Sequence, residues 1–71
     1  MYQSTMEVFD AAYQKVSVGG FIIVDDWGLF NGQAKRATID FRDKCGIREQ
    51  IYFVEGNAIA FWRKQRASDC G

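Results

Sequence analysis

The chain has 71 residues and a mass of 8.1 kDa, and its 9 basic and 9 acidic residues leave no formal net charge. A single domain of this length buries only about 60% of its unfolded surface, so its core is marginal unless something supports it. A content of 48% hydrophobic and 15% aromatic residues marks a folded chain rather than a disordered one. The absence of histidine removes the usual zinc sites, the His-based triads and the commonest general base, while charge neutrality argues against a nucleic-acid binder.

Residues 4–16 read as a helix. Ser4 and Glu7 have the spacing of a capping box, and Met6, Phe9, Tyr13 and Val16 form one apolar stripe. Gly19 and Gly20 are expected to end it. Phe21 to Val24 is a short, continuous apolar run with the composition of a strand buried on both faces. After the loop at Asp25-Asp26-Trp27-Gly28, a second helix is expected from about Gly32 to Lys44, with Asn31 as its N-cap and Gly46 as its stop. Ala34, Ala37, Phe41 and Cys45 share its buried face, and Arg36 and Asp40 form an i, i+4 pair on the wet side. Ile51 to Val54 and Ala58 to Trp62 read as two more strands around a turn at Glu55-Gly56-Asn57, and residues 65–71 as a polar tail.

The order is therefore α-β-α-β-β, an α/β domain over residues 1–71. The first two strands are joined by a right-handed parallel crossover, and the last two form an antiparallel hairpin. The all-apolar third strand is expected between the other two. Both helices can cover one face of this sheet, which leaves the other face bare and predicts a homo-oligomer or a completing segment. The apolar stretches are too short to span a membrane and no signal peptide is visible, so the expected location is cytoplasmic. Both thiols are then expected to be reduced. Cys45 and Cys70, 25 positions apart, make neither a redox CxxC nor a metal cluster.

Chemistry concentrates at Asp25-Asp26, directly after a buried strand, where ligands of open α/β sheets bind. Two adjacent carboxylates repel unless a positive charge lies near, and a hard cation such as Mg²⁺ suits oxygen ligands. On these residues alone a solvated turn, with one Asp capping a backbone amide, is the simpler account of the pair. Trp27 and Phe30 are weak candidates for a substrate lid beside it, though aromatics at such positions commonly pack beneath their loop.

Read with its flanks, this pair sits in a larger pattern. Tyr2-Gln3-Ser4-Thr5, then Val16-Ser17-Val18-Gly19-Gly20-Phe21-Ile22-Ile23-Val24-Asp25-Asp26-Trp27-Gly28, and the closing Phe61-Trp62-Arg63-Lys64 resemble the macrocin O-methyltransferase (TylF-type) family. The resemblance runs from Tyr2 to Lys64. It implies the C-terminal portion of a Rossmann-like, class I S-adenosylmethionine (SAM)-dependent methyltransferase that acts on sugar or phenol hydroxyls of natural products with Mg²⁺. By the same carry-over Asp25 and Asp26 are metal ligands, and a third aspartate belongs to a segment preceding this chain. Tyrosine is commoner in the family at Trp27, and proline at Asn31. The glycine-rich loop and the acidic ribose ligand have no counterpart here, so no residue is assigned to SAM, and no catalytic base is assigned. The chain alone is expected to be inactive, with at most a weak divalent-metal site. A stand-alone α/β association module without catalysis is the alternative.

Overall fold

A computed structural model describes residues 2–56 and 58–67, apart from the side chain of Phe30. Helix α1 (Tyr2–Ala12) runs into a 3-10 turn at Tyr13–Lys15, followed by strand β1 (Phe21–Val24). A second 3-10 turn at Phe30–Gly32 leads into helix α2 (Gln33–Cys45), and strands β2 (Tyr52–Val54) and β3 (Ile59–Arg63) close the chain.

The sheet has the order β1-β3-β2, with β3 antiparallel to both neighbours. The central position expected for the third strand is therefore observed, and β1 and β2 run in the same direction on either side of it. Ile22 pairs with Trp62, and Val24 with Ala60, in the β1–β3 register; Tyr52 pairs with Phe61 on the other side.

The core lies between the helices and one face of this sheet. Phe9 from α1, Tyr13 from the 3-10 turn after it, Ala34 and Phe41 from α2, and Ile22, Val24, Ala60 and Trp62 from the strands are buried together. Phe9 stacks on Phe41 at 4.6 Å between ring centroids, and Tyr13 meets the same ring edge-on at 5.3 Å. Burial raises the Tyr13 hydroxyl pKa above its ordinary value, although the hydroxyl accepts a 3.4 Å bond from Trp62 Nε1, which opposes the rise. Outside the core, Lys44 of α2 bonds to Asp10 of α1 at 2.7 Å, and the Tyr2 hydroxyl donates to Asp40 at 2.6 Å. Asp40 thus reaches the other helix, and Arg36 stands over the Tyr2 ring.

Several expectations change. Strand β1 is not buried on both faces: the second face of the sheet is bare, as two helices on one side predict, and Phe21, Ile23, Tyr52 and Val54 are exposed there. Helix α1 already includes Tyr2, so Ser4 lies inside it and Ser4–Glu7 is no capping box; Glu7 accepts instead from Gln3. The 3-10 turn ends at Val16 in an extended conformation, so Gly19 and Gly20 do not cap the helix. They close a separate turn, in which Gly20 N–H donates to Ser17 O and Gly19 takes φ +96°. Asn31 is not the N-cap of α2, because Gly32 occupies that position in a left-handed conformation without a side-chain cap. Cys45 is disulfide-bonded rather than reduced. Asn57 of the hairpin turn and Cys70 of the tail lie outside the described residues.

Candidate functional site

The site is built at the carboxyl end of β1, where the chain leaves the sheet. Val24 is the last paired residue, and the next two are Asp25, exposed, and Asp26, half-buried. Asp26 has φ +58°, a left-handed conformation that Asp and Asn adopt more readily than other side-chain-bearing residues. That bend reverses the chain so that Asp26 O accepts from Leu29 N–H at 3.1 Å and Trp27 N–H donates to Ala58 O at 3.0 Å. The loop after β1 is thus tied to the residue preceding β3.

Trp27 is 5% exposed and meets Phe53 edge-on at 5.6 Å. It is a core residue holding the loop down, which is the packing role weighed for it, and as placed it does not form a lid. The Phe30 side chain lies outside the described residues; its backbone opens the 3-10 turn before α2.

Two concavities meet at the aspartates. A groove of about 380 Å³ runs between α1 and β1, lined by Thr5, Val8, Phe9, Ile22, Asp25 and Asp26 among others. A cleft of about 460 Å³ lies on the other side, where Gly28, Leu29, Glu55, Gly56 and Ala58 join the same two aspartates. Glu55 was not legible as a site residue, because only the hairpin register carries it to this end of the sheet. The donors are all carboxylate oxygens, which suits a hard divalent cation. Among the described residues, however, no three Asp, Glu, Cys or His side chains converge as a metal cage. The chain offers two adjacent carboxylates and so part of a coordination sphere.

The closing Trp-Arg-Lys lies at the opposite end of the sheet. Trp62 is fully buried beneath the Arg42 guanidinium, 4.6 Å from its ring centroid. Burial lowers the Arg42 pKa, and Nη2 donates to Glu49 O while Nη1 has no partner among the described residues. Lys64 is 2% exposed, and its ammonium donates to Tyr13 O and Val16 O, both at 2.9 Å. Arg63 Nε donates to Gly19 O at 3.1 Å. These three side chains hold the fold and touch neither concavity.

The fold is a small α/β unit with a double aspartate after β1, and comparison with known proteins gives the family. The description of the macrocin-O-methyltransferase (TylF) family matches residues 1–64, and the chain belongs to that family. It is 32% identical over 68 residues to the 8-demethyl-8-(2,3-dimethoxy-alpha-L-rhamnosyl)-tetracenomycin-C 4'-O-methyltransferase of Streptomyces olivaceus, covering 96% of this chain and 25% of that protein. It is 33% identical over 63 residues to the mycinamicin III 3''-O-methyltransferase of Micromonospora griseorubida, covering 89% and 24%. The solved structure of the O-methyltransferase NovP superposes with a TM-score of 0.85 at 32% identity, over 93% of this chain and 26% of that one. The chain thus spans about a quarter of the length of the relatives it matches.

Proposed function

We propose that the chain is the closing, C-terminal quarter of a Rossmann-like, SAM-dependent O-methyltransferase that acts on a sugar or phenol hydroxyl of a natural product. The observation that carries this reading is the family match over residues 1–64, with the double aspartate at the end of β1. The relatives named above are O-methyltransferases, one of them named for a rhamnosyl-tetracenomycin and one for mycinamicin III, which supports the acceptor class. Within that reading Asp25 and Asp26 hold a divalent cation, with the remaining ligands supplied by water and by residues outside this chain. When bound, such an ion lowers the pKa of an acceptor hydroxyl and fixes its direction. The chain's own part is to present two carboxylates on a loop that Trp27 and Ala58 hold against the sheet, so that they are positioned before a ligand arrives. SAM and the third aspartate belong to the segment that completes the fold, and the 71 residues alone are expected to show no methyl transfer.

The test is a chimera in which this chain replaces the corresponding quarter of the Micromonospora relative. Retained SAM-dependent methylation, lost in Asp25→Asn/Asp26→Asn, is expected. A folded chimera with no activity overturns the enzymatic reading and leaves the association module. In the 71-residue chain, Mn²⁺ is expected to broaden the NMR signals of residues 24–29, and the same double variant to abolish this. Broadening that survives the double variant overturns the metal assignment.

A further inference from the structure

The chain beyond β3 is tied back towards the end of helix α2. β3 ends at Arg63, and Gln65 N–H then donates to Glu49 Oε2 at 3.1 Å. Glu49 lies in the linker between α2 and β2, and its Oε1 accepts from Arg48 N–H at 3.2 Å. The Glu49 carbonyl accepts from Arg42 Nη2, so the same residue is held to α2 about one turn before its final residue, Cys45. Cys45 is disulfide-bonded and packs against the core, as do Ile47 and Ile51. The sequence holds two cysteines, so a bond within one chain joins Cys45 to Cys70. The lengths agree. From Glu49 back to Cys45 is four steps, at most about 14 Å, and from Gln65 on to Cys70 is five, at most about 18 Å. A tail pinned at Glu49 therefore has enough chain to return to the end of α2. The family match ends at residue 64, so the tail and its cysteine lie beyond what the family accounts for.

We propose that Cys45 and Cys70 form a redox latch, which fastens the tail across the α2–β2 linker and closes residues 45–70 into one covalent loop around the β2–β3 hairpin. Closure joins the two sulfurs. The oxidant is a low-molecular-weight disulfide such as oxidised glutathione. It takes up the two electrons, its own S–S bond breaks, and the two protein thiol protons end on the two small thiols released. A cross-link of this kind limits the unfolded chain and counts for more as the loop lengthens. Here the loop takes in two of the three strands. A core this small has little else in reserve, so the bond decides much of its stability. The contact between Glu49 and Gln65 makes the bond selective, because it delivers the tail to Cys45 of its own chain. The latch lies at the end of the sheet opposite Asp25 and Asp26. It reaches their cleft only through the hairpin that carries Glu55. The proposal is independent of the methyltransferase reading.

The test equilibrates the 71-residue chain over a range of reduced-to-oxidised glutathione ratios and reads the intact mass. A monomeric species about 2 Da lighter than the reduced chain is expected, and digestion should leave the peptides of Cys45 and Cys70 joined. Reduction by a dithiol, or Cys70→Ser, is expected to lower the thermal midpoint by about 10 °C or more. Glu49→Ala removes the carboxylate that holds Gln65 and keeps the carbonyl that Arg42 uses. It is expected to shift the thiol–disulfide equilibrium constant about fivefold towards the thiols. Lys35→Ala, in the first turn of α2, should leave that constant unchanged. Thiols that stay reduced at every ratio, or that end as glutathione adducts, overturn the proposal. A disulfide-linked pair of chains of about 16 kDa, twice the 8.1 kDa chain, overturns it by giving Cys45 a partner on a second copy. So does a closed bond whose midpoint equals that of Cys70→Ser, since nothing is then latched, and so does an equilibrium indifferent to Glu49→Ala.

Discussion

Lys64 illustrates how a side chain that reads as surface in the sequence becomes part of the interior. It follows Trp62 and Arg63 at the start of a basic, polar run, and nothing in that run separates it from a solvated tail. In the structure its own backbone extends the β1–β3 ladder through Gly19 and Gly20. That anchors the aliphatic stem beneath the 3-10 turn, with the ammonium 4.6 Å from the centroid of the Tyr13 ring. The last carbonyls of a helical segment lack partners within it, and a cation there also meets the negative end of the helix dipole. Lys64→Met keeps the stem and deletes the charge, leaving Val16 O without this donor while Tyr13 O keeps the Val16 N–H. The variant is expected to lose roughly 1.5–3 kcal/mol, the range for hydrogen bonds to a charged group. Urea unfolding reads this as a lower midpoint at constant slope. An unchanged midpoint would mean that water replaces the ammonium without cost. The carboxylates of Asp25 and Asp26, by contrast, were legible as a candidate from their place directly after an apolar run, and two concavities meet beside them.

At the scale of elements, legibility follows the kind of signal. Each strand was placed to within a residue, because continuous apolar runs bounded by glycine or charge have few other readings in a chain this short. Helix α2 also begins within a residue of its expected start, but α1 begins earlier and neither cap was legible: the expected caps at Ser4 and Asn31 compete with backbone conformations that propensity does not reveal. Gly32 takes the N-cap position of α2 in the left-handed region, and Asn31 itself has φ +58°. The C-terminus of α2 was legible, since Gly46 between a helical stripe and Ile47 is a Schellman signature. Gly46 has φ +66°, its N–H donates to Asp43 O at 3.3 Å, and Ile47 N–H donates to Arg42 O at 2.9 Å. Ile47 then packs against the core, which fixes the direction of the chain towards β2. A Cβ at position 46 would meet no atom within 4 Å, so Gly46→Ala isolates the backbone cost. About 1–2 kcal/mol of destabilisation is expected from the left-handed conformation alone. Thermal unfolding with unchanged helical circular dichroism before the transition checks it; a neutral substitution would show that the cap relaxes into another conformation.

At the scale of the whole molecule, the same chain that folds one core leaves a second apolar surface uncovered. The sequence showed this only as three strands apolar at nearly every position; which residues would be bare depended on both helices packing on one side. Phe21 and Tyr52 each approach Phe61 on that face, at 6.2 and 5.6 Å between centroids, so the aromatic side chains cluster without being buried. A small domain has little stability to spare, and a contact that removes even part of such a surface from water contributes to folding itself. Self-association through this surface would link folding to association, and the melting temperature would then depend on protein concentration. For a dimer that unfolds to two free chains, a tenfold change in concentration shifts the balance by about 1.4 kcal/mol per dimer, or roughly 0.7 kcal/mol per chain. In domains of 60–100 residues 1 kcal/mol moves the midpoint by about 4–8 °C, so a tenfold dilution should lower it by roughly 3–6 °C. The measurement is a pair of melts, at about 5 and 50 µM, followed by far-ultraviolet circular dichroism. Coincident melts for the unsubstituted chain at the two concentrations would separate folding from association and place the whole of the stability in the core around Phe41 and Trp62.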